Sequence, residues 1–167
     1  MKFIAHRGLF QGPDKDKENN PDQICEALGK GFDVEIDLRC DESNNLFLGH
    51  DYNQYPISKD FLLDSIDRFW IHCKDLEALN HINLFKDANY FWHQEDDYTL
   101  TSKNFVWVYP GKKLLKNSIL VMPEWDMEVS KIKLDKEIFG VCSDYVLELR
   151  ESNSCLLYTS DAADEAI

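Results

Sequence analysis

Short runs rich in Phe, Trp, Val, Ile and Tyr alternate with polar or helix-forming stretches along the chain. The runs are Lys2–His6, Phe32–Leu38, Leu46–Leu48, Phe69–Cys73, Tyr90–His93, Phe105–Tyr109, Ser118–Met122 and Gly140–Tyr145. Each is only a few residues long, as strands are. Asn20, Pro21 and the apolar face of Gln23–Leu28 predict a capped helix ending near Gly29–Gly31. Ser58–Ile66 predicts a second helix capped by Ser58, and Asp75–Asn80 a short third one. Strands that alternate with short helices predict an α/β fold with a parallel sheet. No fixed-period repeat and no low-complexity linker divides the chain. A full eight-stranded α/β barrel takes about 250 residues. Here roughly 150 must suffice, so a barrel would be trimmed or incomplete, with short or missing helices in its second half.

Composition narrows the function classes. The 167 residues carry 31 acids and 18 bases, a net charge of −13. Such a surface repels phosphate backbones and argues against nucleic-acid binding, while leaving room for a local basic pocket for one small anion. No apolar run approaches the ~20 residues that span a bilayer, and the start lacks a secretory h-region. The five cysteines form no C-x-x-C pair and read as reduced core residues of a cytoplasmic protein.

The end of the chain differs. Residues 155–165 resemble the translated read-through of a transposon-type sequencing-library adapter. Residues 155–167 are therefore set aside as an artefactual tail, leaving 1–154 as one domain. The tail holds three acids and no base, so residues 1–154 still carry −10.

The chemistry is concentrated at strand ends. In Phe32–Leu38, Val34, Ile36 and Leu38 point one way and Asp33, Glu35 and Asp37 the other. Two carboxylates two residues apart on a strand lie roughly 7 Å apart at Cα. That suits a hard cation completed from a neighbouring strand; a solvated strand face is the plainer alternative. His6-Arg7-Gly8 follows the first strand, and Gly49-His50-Asp51 follows the strand at Leu46–Leu48. Barrel enzymes place catalytic groups at such ends. Two histidines there suit acid–base catalysis, and an arginine suits phosphate. His93 and Glu95 lie at another strand end. Trp107, Tyr109 and Trp125 either line a pocket for an alcohol or belong to the core.

Taken together, Ile4-Ala5-His6-Arg7-Gly8, Glu18-Asn19-Asn20, Val34-Glu35-Ile36-Asp37 and Gly49-His50-Asp51 resemble, in order and spacing, the glycerophosphodiester phosphodiesterase family. Asn20 stands where that family has threonine. Gly140–Tyr145 is more weakly similar to the family's last barrel strand. The resemblance implies a small TIM-type barrel of the phosphoinositide phospholipase C-like superfamily. It implies one divalent cation, Ca²⁺ or Mg²⁺, held by Glu35 and Asp37. It further implies His6 and His50 as acid and base, Arg7 and Lys74 on the substrate phosphate, and Glu18, Asn19 and Asp51 in support.

One departure matters. Trp70-Ile71-His72-Cys73-Lys74 matches a family strand that carries Glu-x-Lys, so His72 stands where the third carboxylate ligand is expected. Either His72 is the third ligand and the preference moves towards Mn²⁺ or Zn²⁺, or Glu95 or Glu124 takes over. The expected activity is metal-dependent hydrolysis of a small-molecule glycerophosphodiester, without stable membrane association. A non-catalytic anion-binding barrel and a sphingomyelinase D-like lyase forming a cyclic phosphate are the alternatives. The sequence does not set the oligomeric state.

Overall fold

The computed structural model describes residues 1–154; the proposed artefactual tail lies outside the described residues. The chain forms a mixed α/β fold around a ten-stranded sheet. In chain order the elements are β1 (Lys2–Ala5), α1 (Pro21–Gly29), β2 (Asp33–Cys40), β3 (Leu46–Leu48), β4 (Tyr55–Ile57), α2 (Lys59–Leu63), β5 (Phe69–Cys73), α3 (Leu76–Ile82), β6 (Asn89–Phe91), β7 (Tyr98–Leu100), β8 (Val106–Val108), β9 (Ser118–Val121), β10 (Gly140–Ser143) and a last helix, α4, over 146–154.

A parallel array runs β6-β5-β2-β1-β10-β9-β8. β3, β4 and β7 join it antiparallel, which corrects the expectation of a purely parallel sheet. The reason is local. After Cys40 the chain reverses through a turn at Asp41, whose carboxylate accepts from the Ser43 and Asn45 N–H groups. Leu46–Leu48 therefore returns along β2 as a hairpin. The two ends of the array approach one another. Tyr90 in β6 accepts at its carbonyl from the Ser102 N–H, and its own N–H donates to Ser102 Oγ. Thr99 Oγ1 donates to the Trp92 carbonyl.

The helix signals hold at α1 and shift elsewhere. Asn20 caps α1, accepting from the N–H groups of Asp22 and Gln23, with Pro21 opening the first turn. Ser58 caps α2, but that helix ends at Leu63 rather than Ile66. Asp75 caps α3, which runs on to Ile82. Between β6 and β10 the only helical segments among the described residues are short 3-10 turns, at Pro123–Trp125 and Val129–Lys131.

The strand periodicity sorts residues between two faces. Val34, Ile36, Leu38, Ile71 and Cys73 are buried beneath Ile24 and Ala27 of α1, Leu62 of α2 and Ala78 and Ile82 of α3. The other face carries its own apolar layer of Ile4, Trp70, Phe91, Trp107, Ile119 and Cys142, contributed by six different strands. Below that layer Asp33 is buried. It accepts from Trp70 Nε1 at 3.2 Å and lies 3.0 Å from Lys2 Nζ. Of the three acids on this face of β2, Asp33 is thus satisfied at the strand's N-terminal end by Lys2, Arg68 and the Trp70 N–H, as a buried carboxylate must be. Of the described cysteines, Cys40, Cys73 and Cys142 are buried and Cys25 is exposed, and all four are free. Among the described residues no helix is long and apolar enough to cross a membrane.

Candidate functional site

The inner apolar layer is the floor of a cavity at the C-terminal ends of the parallel strands. Its volume is about 160 Å³, and His6, Arg7, Glu35, His50, His72 and His93 line one side of it. Trp107, Tyr109, Met122 and Trp125 line the other.

The first strand delivers two of these groups through a strained turn. After Ala5 the chain bends through His6–Gly8, with Arg7 at φ 51° and Gly8 at φ 83°. A Cβ on Gly8 would meet Ile24 Cγ1 at 3.0 Å, so glycine lets the turn rest against α1. Arg7 pays a left-handed conformation, about 1–3 kcal/mol for a non-glycine residue. Its contacts offset that. The Arg7 N–H donates to Glu35 Oε2 at 3.1 Å, Nη1 donates to Glu18 Oε2 at 2.6 Å, and Nε lies 3.0 Å from Asp37 Oδ2.

Asn19, the middle residue of the Glu18-Asn19-Asn20 motif, is buried and left-handed at φ 58°. Its Oδ1 accepts from the Asp37 N–H and its Nδ2 donates to Asp37 Oδ2, both at 2.9 Å. The two loops thereby lock the upper acid of β2 from both sides. Glu18 thus holds Arg7, and Asn19 holds Asp37.

Glu35, Asp37 and His72 each offer one ligand atom, and these atoms lie within 4.8 Å of one another. All three residues are at least nine-tenths buried. His72 Nδ1 lies 3.4 Å from Asp37 Oδ1 and 4.0 Å from Glu35 Oε1. Neither Asp37 Oδ1 nor His72 Nε2 has a hydrogen-bond partner. Buried polar atoms are ordinarily satisfied, so an orphaned carboxylate oxygen beside a second carboxylate and an imidazole fits a divalent cation. Glu95 and Glu124, the alternative third ligands, stand apart. Glu95 is exposed, and Glu124 Oε1 accepts from Ser143 Oγ at 2.8 Å and the Asp144 N–H at 2.9 Å.

The two acids differ electrostatically. Burial pushes the Glu35 carboxyl above its ordinary range, and the Asp37 charge adds to that. Burial acts the same way on Asp37, but His72, Arg7 and Lys74 outweigh it and hold Asp37 well below the carboxylate range. Lys74 sits 3.8 Å from Asp37 Oδ1 and is not among the cavity-lining residues. Its position makes it a partner of that acid rather than a group displayed to the cavity.

Asp144, just after β10, accepts from His6 Nδ1 at 2.8 Å across 138 positions of sequence. That leaves Nε2 as the free ring nitrogen of His6. Burial alone would lower the His6 pKa, but the Asp144 hydrogen bond and the nearby Glu35 charge together raise it. In Asp144→Asn the His6 titration midpoint, followed by NMR of its ring protons, is expected to fall. A midpoint that stays in place would show that Asp144 is not what holds the imidazolium. Sequence reading placed Asp144 at a strand end and gave it no role. The signal was its position beside β1, which no local pattern encodes.

His50 arrives on the β3–β4 loop. Gly49 has φ 152°, and a Cβ there would lie 2.1 Å from the Tyr52 carbonyl oxygen, which only glycine avoids. Arg39 pins the loop, donating from Nε to the Gly49 carbonyl at 2.9 Å and from Nη2 to the His50 carbonyl at 2.6 Å. His50 Nδ1 lies 2.7 Å from Asp51 Oδ1, and its side chain is 41% exposed. His93 stacks on His72 with ring centroids 4.5 Å apart and planes 9° apart. Burial, His72 and Lys74 lower its pKa to about 4, so it is neutral near pH 7. Trp107 is buried in the inner layer, while Tyr109 and Trp125 are half exposed or more and meet edge to face at the cavity mouth. No family model, no curated protein and no solved structure matches this chain.

Proposed function

We propose that this chain is a metal-dependent phosphoric diester hydrolase on a trimmed TIM-type barrel, acting on a small glycerophosphodiester. Support for the barrel comes from the seven-strand parallel array, the hydrogen bonds that join its two ends, and an inner layer drawn from six strands. The observation that carries the function is one cavity at the C-terminal strand ends. It unites two histidines and an arginine with Glu35 and His72, which form a metal-ligand cluster with the fully buried Asp37 and its orphaned oxygen.

Glu35, Asp37 and His72 would hold one divalent cation, which when bound polarises the phosphoryl oxygens. His6, whose pKa the Asp144 hydrogen bond raises, is the general acid. His50, oriented by Asp51, is the general base. His50 takes a proton from the attacking water as its oxygen bonds to phosphorus. The bond from phosphorus to the alcohol oxygen breaks, and His6 gives its proton to that oxygen. Arg7 lines the cavity with two of its nitrogens already committed to Glu18 and Asp37. Its charge therefore acts on the phosphate from a fixed position.

The test is hydrolysis of glycerophosphocholine and of a chromogenic bis-aryl phosphate, with and without chelator. Turnover that disappears in chelator and returns with a divalent cation is expected. A folded chain that turns over neither diester with Mg²⁺, Ca²⁺, Mn²⁺ or Zn²⁺ overturns the hydrolase reading. Binding without turnover would mark an anion-binding barrel. A cyclic phosphate product would mark a lyase.

A further inference from the structure

We propose that the Glu35–Asp37–His72 cluster selects a borderline transition dication, of the Mn²⁺, Fe²⁺ or Zn²⁺ class, over Ca²⁺ and Mg²⁺, with the His72 nitrogen as the selecting ligand. The inference rests on the reading of this cluster as a metal centre and adds which metals it takes.

The argument is a count of uncommitted donors. Glu35 Oε2 already accepts from the Arg7 N–H. Asp37 Oδ2 already accepts from Asn19 Nδ2 and faces Arg7 Nε at 3.0 Å. Each carboxylate thus has one oxygen without a hydrogen bond, Glu35 Oε1 and Asp37 Oδ1, while the hydrogen bond on the other oxygen disfavours bidentate binding. With the His72 ring nitrogen, 3.4 Å from Asp37 Oδ1 and 4.0 Å from Glu35 Oε1, these are the least committed donors.

Ca²⁺ takes about 6–8 oxygen ligands and favours bidentate carboxylates. Two single oxygens and an imidazole serve it poorly. Mg²⁺ also prefers oxygen and gains little from a nitrogen donor. Imidazole with carboxylate suits Mn²⁺, Fe²⁺ and Zn²⁺. Arg7 and Lys74 already lean on Asp37 and weaken the field for every dication alike, so the choice among dications falls to the nitrogen donor.

His72 is also held ready. Its ring stacks near-parallel on both Phe91, at 5.0 Å and 17°, and His93, at 4.5 Å and 9°, two rings that lie 5.9 Å from each other. That stacking restricts the ring, so less rotamer freedom is lost when the nitrogen binds.

The experiment titrates metal-free full-length chain with MnCl₂, MgCl₂ and CaCl₂ by calorimetry, and records the pulsed EPR spectrum of the Mn²⁺ form. Expected are a ¹⁴N coupling from one directly bound histidine and an affinity for Mn²⁺ at least about tenfold above those for Mg²⁺ and Ca²⁺. In His72→Glu the nitrogen coupling disappears and the ratio of Mn²⁺ to Mg²⁺ affinity falls about tenfold or more. Mn²⁺ bound without nitrogen coupling, or equal affinities for Mn²⁺ and Mg²⁺ in the wild-type chain, overturns the inference while leaving a metal centre in place. No binding of any of the three ions overturns the metal centre as well. The wild-type spectrum decides the matter even if the variant fails to fold.

Discussion

His50→Ala lowers diester turnover by roughly 10²–10⁴-fold, the usual contribution of one positioned acid or base. His6→Ala falls in the same range. The pair carries the proton transfers of the proposed reaction, and both side chains line the one cavity that also holds Glu35 and His72. The two variants differ in what else they disturb. The His50 side chain is 41% exposed and, among the described residues, bonds only its exposed neighbour Asp51, so its loss leaves the fold unchanged. His6 is nearly buried, and its loss strands Asp144, itself buried, without its hydrogen-bond donor. An unsatisfied buried group costs about 1–3 kcal/mol, so His6→Ala is read beside a thermal melt. His6→Gln, which keeps a donor within reach of Asp144, separates lost chemistry from lost packing. Turnover within threefold of the wild type in His50→Ala would remove His50 from the mechanism.

Asp37→Ala destabilises the chain by about 3–5 kcal/mol, the cost of removing one partner from a buried charge pair. At roughly 2–4 °C per kcal/mol for a chain of this size, the melting temperature drops by about 6–20 °C. Asp37 is fully buried. It takes two hydrogen bonds with Asn19 and faces Arg7, Lys74 and His72. One effect opposes the loss. Without Asp37, Glu35 is relieved of the like charge that helps raise its pKa. That relief is smaller than the loss, because one acid is freed while Arg7 loses one of its two carboxylate partners and Lys74 loses its counter-charge. Asp37→Asn keeps the shape and removes only the charge, so it isolates the electrostatic part. The pH dependence has a definite sign. Because the folded pKa of Asp37 is depressed, its stabilisation is fully present above the unfolded value of about 3.9. It is lost as pH falls through the folded value. The gap in stability between wild type and Asp37→Asn is therefore constant across neutral pH and shrinks in acid. A melting temperature unchanged at pH 7 would show that the cluster is not held together by this carboxylate.

The chain's own pattern determined the elements and the two faces of the sheet. Strict alternation in Asp33–Leu38 placed Val34, Ile36 and Leu38 against the helices and three acids on the opposite face, because strand side chains repeat every two residues. Asn20-Pro21 and Ser58 marked helix starts, because their side chains satisfy N–H groups that the first turn leaves open. The motifs also placed His6, Arg7, Glu35 and His50 at strand ends, and these four line one cavity. Other elements were illegible. Tyr55–Ile57 and Tyr98–Leu100 are three residues each, too short to show a period, and they are strands only because β3 and β8 offer a partner edge. The pattern predicts no helix over 146–154, though its Val146 and Leu149 are buried by the sheet and the segments packed on it. What only the tertiary structure decided is who meets whom. β1 lies between β2 and β10, so residue 6 finds Asp144 rather than anything near it in sequence. The turn after β1 takes one oxygen of Glu35, Asn19 takes one of Asp37, and the pairing of β5 with β6 stacks His93 on His72. Periodicity is set residue by residue along a strand, whereas register and strand order are settled by the packing of the whole sheet, and the donors left free for a metal follow from the latter.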